Sequence, residues 1–204
     1  MPMKDKAVFL DRDGVINRMV YYEEHGIIDS PFKPEQLYIF PEAKKAISMI
    51  HGMGMKAILV SNQPGMAKGF YSLKTFNVIN KKMNSVLSGV SSLDAVYYCL
   101  HHPKAKIKKY KKTCSCRKPK PGLLFKASRE KGVDLARSYM VGDGITDIEA
   151  GKRAGCKTIL IGNPKCDICS LFSYRGFKPD AIAGGILEAV SKIKKWEGHN
   201  GNIH

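Results

Sequence analysis

The chain has 204 residues, enough for one domain of ordinary size or one domain with a modest inserted subdomain, and enough to bury a sizeable core. With 44% hydrophobic and 25% charged residues, its composition is that of a globular protein and argues against disordered, collagenous and membrane-bundle classes. The 34 Lys and Arg against 18 Asp and Glu leave a formal charge of +16, which points to a polyanionic partner: nucleic acid, an anionic membrane surface or a phosphorylated substrate.

The N-terminal MPMKDKAVFLDRDG carries only a short apolar run before acids appear, so neither a signal peptide nor a membrane span is expected there, and the cytoplasm is the expected location. Ala7 to Leu10, stopped by Asp11, reads as a buried parallel strand. Pro41 opens a helix whose apolar face is Ala43, Ala46, Ile47 and Ile50, with Gly52 or Gly54 as its stop. Ala57 to Val60, stopped by Ser61, is a second buried strand. Ser72 caps a helix to about Leu87, Ala95 to Cys99 is a strand and Pro121 to Lys131 a helix. Tyr139 to Val141 is a strand, Asp147 to Ala154 a helix, Thr158 to Ile161 a strand and Ile186 to Trp196 a closing helix, with Ile193 and Trp196 as packing residues. Such alternation predicts an α/β fold: a doubly wound parallel sheet with helices on both faces, in one domain over 1–204. Two long connections, 17 to 40 and 100 to 120, interrupt it, and long loops in compact α/β folds tend to carry function.

Four motifs fall at strand ends, where the ligand crevice of an open α/β sheet lies. After the first strand come Asp11 and Asp13 of Asp-Arg-Asp-Gly; one carboxylate can attack phosphorus while the other handles the proton. Ser61, Asn62 and Gln63 follow the second; a hydroxyl and amides there can donate to phosphate oxygens. Arg117 and Lys118 precede a helix and supply cations for a transferring phosphoryl group and a second anion. Asp143, after a later strand, joins Asp11 and a carbonyl of Asp13 in a hard-oxygen site suited to Mg²⁺, with Asp147 ordering the loop or capping the helix that follows. Each motif alone also fits an ordinary polar turn.

A further cluster stands in the second long connection. Cys99, His101, Cys114 and Cys116 form two close pairs supplying the four soft ligands of a tetrahedral zinc, with His102 as the rival histidine. Buried free thiols are the competing reading, weakened by the lysines around Cys114 and Cys116. Cys166 and Cys169 form another close pair with no partner pair nearby and read as idle or buried thiols.

The order of the four motifs resembles the haloacid dehalogenase superfamily of phosphotransferases. FLDRDGVIN at 9–17, SNQPGMAKG at 61–69, YYCLHHP at 97–103, CSCRKPKPG at 114–122 and YMVGDGITDIEAG at 139–151 look like the D-glycero-D-manno-heptose 1,7-bisphosphate phosphatases, close to the histidinol-phosphate phosphatases. That resemblance implies a Rossmann-like sheet with a zinc-binding loop, 99–116, in place of a large cap domain. It implies Asp11 as nucleophile, Asp13 as proton donor, Ser61 and Lys118 as phosphoryl stabilisers and Arg117 as a contact for a second phosphate, with Arg12, Asn62 and Gln63 as further substrate contacts. It implies Mg²⁺ on Asp11, Asp13 and Asp143, and a zinc that positions Arg117 and Lys118. The chain departs from the family pattern at Gly144, where a basic residue is usual, at Pro64, where a serine is common, and in the longer stretch after Asn17. The expected activity is a magnesium-dependent phosphatase acting on a small sugar phosphate, most readily heptose 1,7-bisphosphate at C7, as a monomer. Histidinol phosphate and a nucleic-acid 3'-end phosphate are the alternatives. Nucleic acid is disfavoured because the basic loop offers only Tyr110 for stacking.

Overall fold

A computed structural model describes residues 4–162 and 176–200 of the chain; Cys166 and Cys169 lie outside them. Six parallel strands form the central sheet: β1 (Ala7–Leu10), β4 (Lys56–Asn62), β5 (Ala95–Cys99), β6 (Tyr139–Gly142), β7 (Lys157–Ile161) and β8 (Ala181–Ala183), after a separate antiparallel hairpin of β2 (Val20–Tyr22) and β3 (Ile27–Asp29). The order across the sheet is β5-β4-β1-β6-β7-β8, so the chain winds outward from β1 in both directions. The helices are α1 (Pro41–Gly52), α2 (Gly65–Lys68), α3 (Leu73–Val86), α4 (Gly122–Lys131), α5 (Ile145–Ala154) and α6 (Ile186–Asn200).

Strand alternation explains why the sheet is wrapped twice. Val8 and Leu10 of β1, Ala57 and Leu59 of β4, and Tyr139 and Val141 of β6 face one way, onto α1, α3 and α6. Ala7, Phe9, Ile58, Val60 and Met140 face the other, onto α4 and α5 through Leu123, Leu124, Ala127 and Ala150. All of these side chains are buried, each contributing roughly 1.5–3 kcal/mol where it is a large aliphatic. The face predicted for α1, Ala43, Ala46, Ile47 and Ile50, is the face it buries.

Several boundaries move. Strand β4 runs on to Asn62, so Ser61 and Asn62 are strand residues paired to Tyr98 and Cys99 of β5. Helix α5 begins at Ile145, two residues before Asp147, because Asp147 reaches back to bond the Gly144 N–H at 3.0 Å and caps the helix from its third position. Ser72 caps α3 as expected, accepting from the Thr75 N–H at 3.1 Å. The connection 17–40 is not an irregular loop: it folds into the β2–β3 hairpin, whose Tyr22 stacks on Phe32 with ring centres 4.1 Å apart, and Phe32 stacks in turn on Phe70 at 4.5 Å. That aromatic column ties the hairpin to the segment after α2. Among the described residues, no helix is long and apolar enough to cross a membrane.

Candidate active site

The parallel register brings the ends of β1, β4 and β6 together, and the four motifs meet there. Asp11 leaves β1 with its N–H bonded to the Val141 carbonyl of β6 at 3.0 Å. Gly14 follows at φ +80°, and a Cβ there would stand 2.0 Å from Asp143 Oδ2, so only glycine lets the first turn pass the β6 carboxylate. Lys118 enters from the far side, 2% exposed, its Nζ 2.9 Å from Asp11 Oδ1, 2.5 Å from Asp147 Oδ1 and 2.9 Å from the Val60 carbonyl. Burial works against the ammonium, but Asp11 and Asp147 outweigh it and hold Lys118 above its ordinary pKa.

Oxygens of Asp11, Asp143 and Asp147 lie within 4.8 Å of one another. Burial and the charges of Asp11 and Asp147 push Asp143 up to about 7, against the partial relief of Lys118. Burial likewise lifts Asp147 to about 6. Three carboxylates against one ammonium leave an excess of negative charge, and the donors are all hard oxygens, the chemistry that Mg²⁺ fits. Asp13 is not among them. Its carboxylate accepts from Arg12 Nε at 3.2 Å, Asn17 Nδ2 at 2.9 Å and Gln63 Nε2 at 2.5 Å, so as a metal ligand it can offer its backbone carbonyl but not the side chain.

Three expected substrate contacts are corrected by the same bonds. Arg12 is 1% exposed, its guanidinium given to Asp13 and lying 5.9 Å from the Tyr98 ring centre. Gln63 is fully buried, its amide nitrogen divided between Asp13 and Ser61 Oγ, the latter at 3.1 Å. Asn62 spends both ends of its amide on the Lys118 backbone: Nδ2 donates to the Lys118 carbonyl and Oδ1 accepts the Lys118 N–H, each at 3.0 Å. These side chains build the framework of the site, and none has a polar group free for a ligand beyond Arg12 Nη1. Arg117 stays half-buried at the surface, its Nη1 donating to the His101 carbonyl at 3.3 Å.

Sequence reasoning missed Asn17 and underrated Asp147. Asn17 is fully buried and bonds Asp13. Asp147 both caps α5 and pairs with Lys118; its capping position was legible, and its second role depends on Gly142, where any Cβ would collide with the Asp147 side chain at 2.2 Å.

The cysteine cluster forms at the end of β5. Cys99 Sγ lies 3.5 Å from Cys114 Sγ and 3.3 Å from Cys116 Sγ, Cys114 and Cys116 are 3.1 Å apart, and His101 Nδ1 is 3.8 Å from Cys99 and 3.4 Å from Cys116. A tetrahedral metal with bonds near 2.3 Å requires ligand–ligand edges of about 3.8 Å, close to this spacing. Burial and the neighbouring thiol Cys116 push the Cys99 thiol up, and burial pulls His101 down toward the neutral ring that a metal takes. The rival His102 turns away, its Nδ1 accepting the Lys104 N–H at 3.1 Å.

Known proteins resemble this chain in sequence and fold. Residues 115–189 match the HAD-hydrolase-like family model. The D-glycero-beta-D-manno-heptose-1,7-bisphosphate 7-phosphatase of Photorhabdus laumondii is 42% identical over 157 residues, 76% of this chain and 79% of the relative. That of Haemophilus ducreyi is 37% identical over 195 residues, 94% of this chain and all of the relative. Among solved structures, the D,D-heptose 1,7-bisphosphate phosphatase of B. bronchiseptica, complexed with magnesium and phosphate, superposes with a TM-score of 0.74 at 27% identity, covering 94% of this chain and 99% of that one. The chain therefore belongs to the heptose-bisphosphate phosphatase family of HAD-like hydrolases.

Proposed function

We propose that the chain is a magnesium-dependent phosphatase that hydrolyses D-glycero-D-manno-heptose 1,7-bisphosphate at C7 through an aspartyl-phosphate. The observation that carries the reading is Asp11, set between the buried Lys118 ammonium and the Asp143–Asp147 carboxylates at the open end of the sheet. An Asp11 oxygen attacks phosphorus, the P–O bond to C7 breaks, and Asp13 delivers a proton to the leaving oxygen. Asp13 then takes a proton from water, whose oxygen attacks the phosphorus and returns Asp11 free with release of phosphate. Lys118 offsets charge on the phosphoryl oxygens, and Ser61 Oγ, at the end of β4, is the hydroxyl donor beside it. Asp11, Asp143 and the Asp13 carbonyl, with Asp147 adjoining, would hold Mg²⁺, which when bound would supply Lewis-acid neutralisation of phosphoryl charge.

Arg117, fixed to the His101 carbonyl, is the residue placed to meet the second phosphate. Zinc on Cys99, His101, Cys114 and Cys116 positions it, and the loop 99–116 serves where larger relatives carry a cap. Relatives named for the beta and the alpha anomer are 42% and 36% identical, so both sugars belong in the test. Phosphate release is measured from both anomers, histidinol phosphate and a 3'-phosphorylated oligonucleotide, with and without Mg²⁺. Fastest turnover on a heptose bisphosphate, dependent on Mg²⁺, is expected; faster turnover of either of the other two overturns the substrate assignment.

A further inference from the structure

From Lys104 to Lys120 nine side chains are basic and none is acidic, so this stretch carries more than half of the +16. Lys118 serves the reaction centre and Arg117 the cleft edge, which leaves most of the charge unexplained. Lys104, Lys106, Lys108, Lys109, Lys111 and Lys112 are all exposed, and among the described residues none of these six is within ion-pair distance of a carboxylate. Solvated lysines on a wandering loop would mean little, but this loop is pinned. The Lys106 and Ile107 N–H groups both donate to the Ala67 carbonyl of α2, at 2.9 and 3.1 Å, and the His102 N–H donates to the Tyr110 carbonyl at 3.1 Å. Ala105 is buried, and Tyr110 packs on the aromatic cluster of Phe32, Met66, Tyr71 and Phe76. The tip therefore folds back toward His101 and His102, on which the charges of Lys112 and Lys104 bear, and keeps its lysines on the side of the cleft where Arg117 bonds the His101 carbonyl.

The interior of the cleft has the opposite sign. Asp11, Asp143 and Asp147 face one ammonium, and Arg12 is consumed by Asp13. A phosphate dianion approaching that centre meets net repulsion until a cation is in place, and a sugar bearing two phosphates meets more of it. We propose that the six rim lysines act as an electrostatic collector that raises capture of a doubly phosphorylated sugar and selects it over singly phosphorylated ones, without touching the reacting atoms. This rests on the phosphatase reading above and extends it to residues outside the reaction centre. A field of this kind decays over a Debye length of about 8–10 Å near physiological salt, so it acts on encounter and fades as salt rises.

The test replaces Lys104, Lys106, Lys108 and Lys111 together by Gln, sparing Lys109, which lies 5.6 Å from the Tyr110 ring centre, and Lys112, whose charge bears on His101. Turnover of heptose 1,7-bisphosphate and of the same sugar bearing only the 7-phosphate is followed across ionic strengths from about 0.01 to 0.3 M. For the bisphosphate, the variant is expected to keep kcat, lose about three- to tenfold in kcat/KM at low salt, and show a flatter salt dependence. The monophosphate should change less. An unaltered salt slope, an equal loss for both sugars, or a fall in kcat with KM unmoved overturns the proposal, the last showing structural damage instead of lost attraction. If a short oligonucleotide inhibits the wild type but not the variant, and the bisphosphate shows no salt dependence in either, the rim serves nucleic acid and the proposal falls. Wild-type protein that releases no phosphate from the bisphosphate overturns the phosphatase reading itself; turnover with an unchanged slope overturns the collector alone.

Discussion

Asp11 and Cys99 stand at the same end of one sheet, two strands apart, yet the groups they anchor are held by different means. Around Asp11 the charged residues come from just past a strand end, from the first turn of α5 and from the turn before α4, and direct bonds fix Lys118 to three oxygens, Asp13 to three donor side chains and Asp147 to the Gly144 N–H. Around Cys99 the ligands come from a strand end and from a turn 15 residues later, joined by a loop in which Ala105 is the buried apolar side chain. The reaction centre borrows its rigidity from the two cores of the sheet. The knuckle loop is pinned at its tip by backbone bonds to α2 and by Tyr110, while the mutual placing of its four soft donors falls to whatever binds them.

If that contrast is right, the reaction centre is sensitive to single charges and the knuckle to its metal. The largest effect is expected for Asp11→Asn, which keeps the shape and removes the proposed nucleophile: phosphate release should fall by about 10³-fold or more. Its melting temperature should move little, since the relief of a like charge beside Asp143 and the loss of a partner for buried Lys118 oppose one another. Release within about tenfold of wild type would break the assignment of Asp11 as nucleophile.

Lys118→Met should remove activity as well, but here stability falls too, by about 3–5 kcal/mol, because Asp11 and Asp147 lose their buried partner. Adding Asp147→Asn should restore part of that stability and none of the activity, a coupling that denaturant melts of the two single variants and the double variant would measure. Purely additive melts would mean that the two residues do not act as a pair.

Metal removal from the knuckle ranks next. Stripping zinc, or Cys114→Ser, is expected to cost about 10- to 100-fold in kcat/KM, the range for losing support around a functional group. Far-UV circular dichroism should change little, because the knuckle adds only cysteines to the margin of one buried face of the sheet. Elemental analysis should find one zinc per wild-type chain; a zinc-free chain with full activity would remove the distinction between the two regions.

The same contrast explains what could be read from the sequence. The short apolar runs before Asp11, Ser61 and Asp143 are long enough to specify parallel strands, and once strands are parallel their C-terminal ends must share an edge, so the gathering of the motifs was legible. The clustering of Cys99, His101, Cys114 and Cys116 was legible too, because Cys-x-His and Cys-x-Cys each place two soft donors within a short turn. Hidden from the sequence was how donors are divided within the cleft. Arg12, Asn62 and Gln63 look like ligand contacts in a linear string, and only the folded chain shows that their side chains bond Asp13, the Lys118 backbone and Ser61. The hairpin β2–β3 was obscured for another reason: its strands are three residues long, too short for an alternating pattern, and its position depends on stacking with Phe70, remote in sequence.

Asn62 gives the smallest and most discriminating effect. Among the described residues, its amide is the one side-chain clamp between β4 and the backbone of Lys118, made of two bonds at 3.0 Å. Asn62→Ala should cost about 1–3 kcal/mol of stability by leaving the Lys118 N–H and carbonyl without these partners. With the clamp gone, Lys118 keeps its Nζ contacts with Asp11, Asp147 and the Val60 carbonyl but loses the anchor of its backbone, so kcat should fall while KM stays near its wild-type value. Asn62→Asp keeps the acceptor for the Lys118 N–H but sets an oxygen against the Lys118 carbonyl, and should melt at or below the alanine variant. A substrate-contacting Asn62 would give the reverse pattern, a raised KM with stability intact. Steady-state kinetics and thermal melts of the two variants therefore decide whether the lysine is positioned by the sheet, like the rest of the reaction centre, or depends on the knuckle that precedes it.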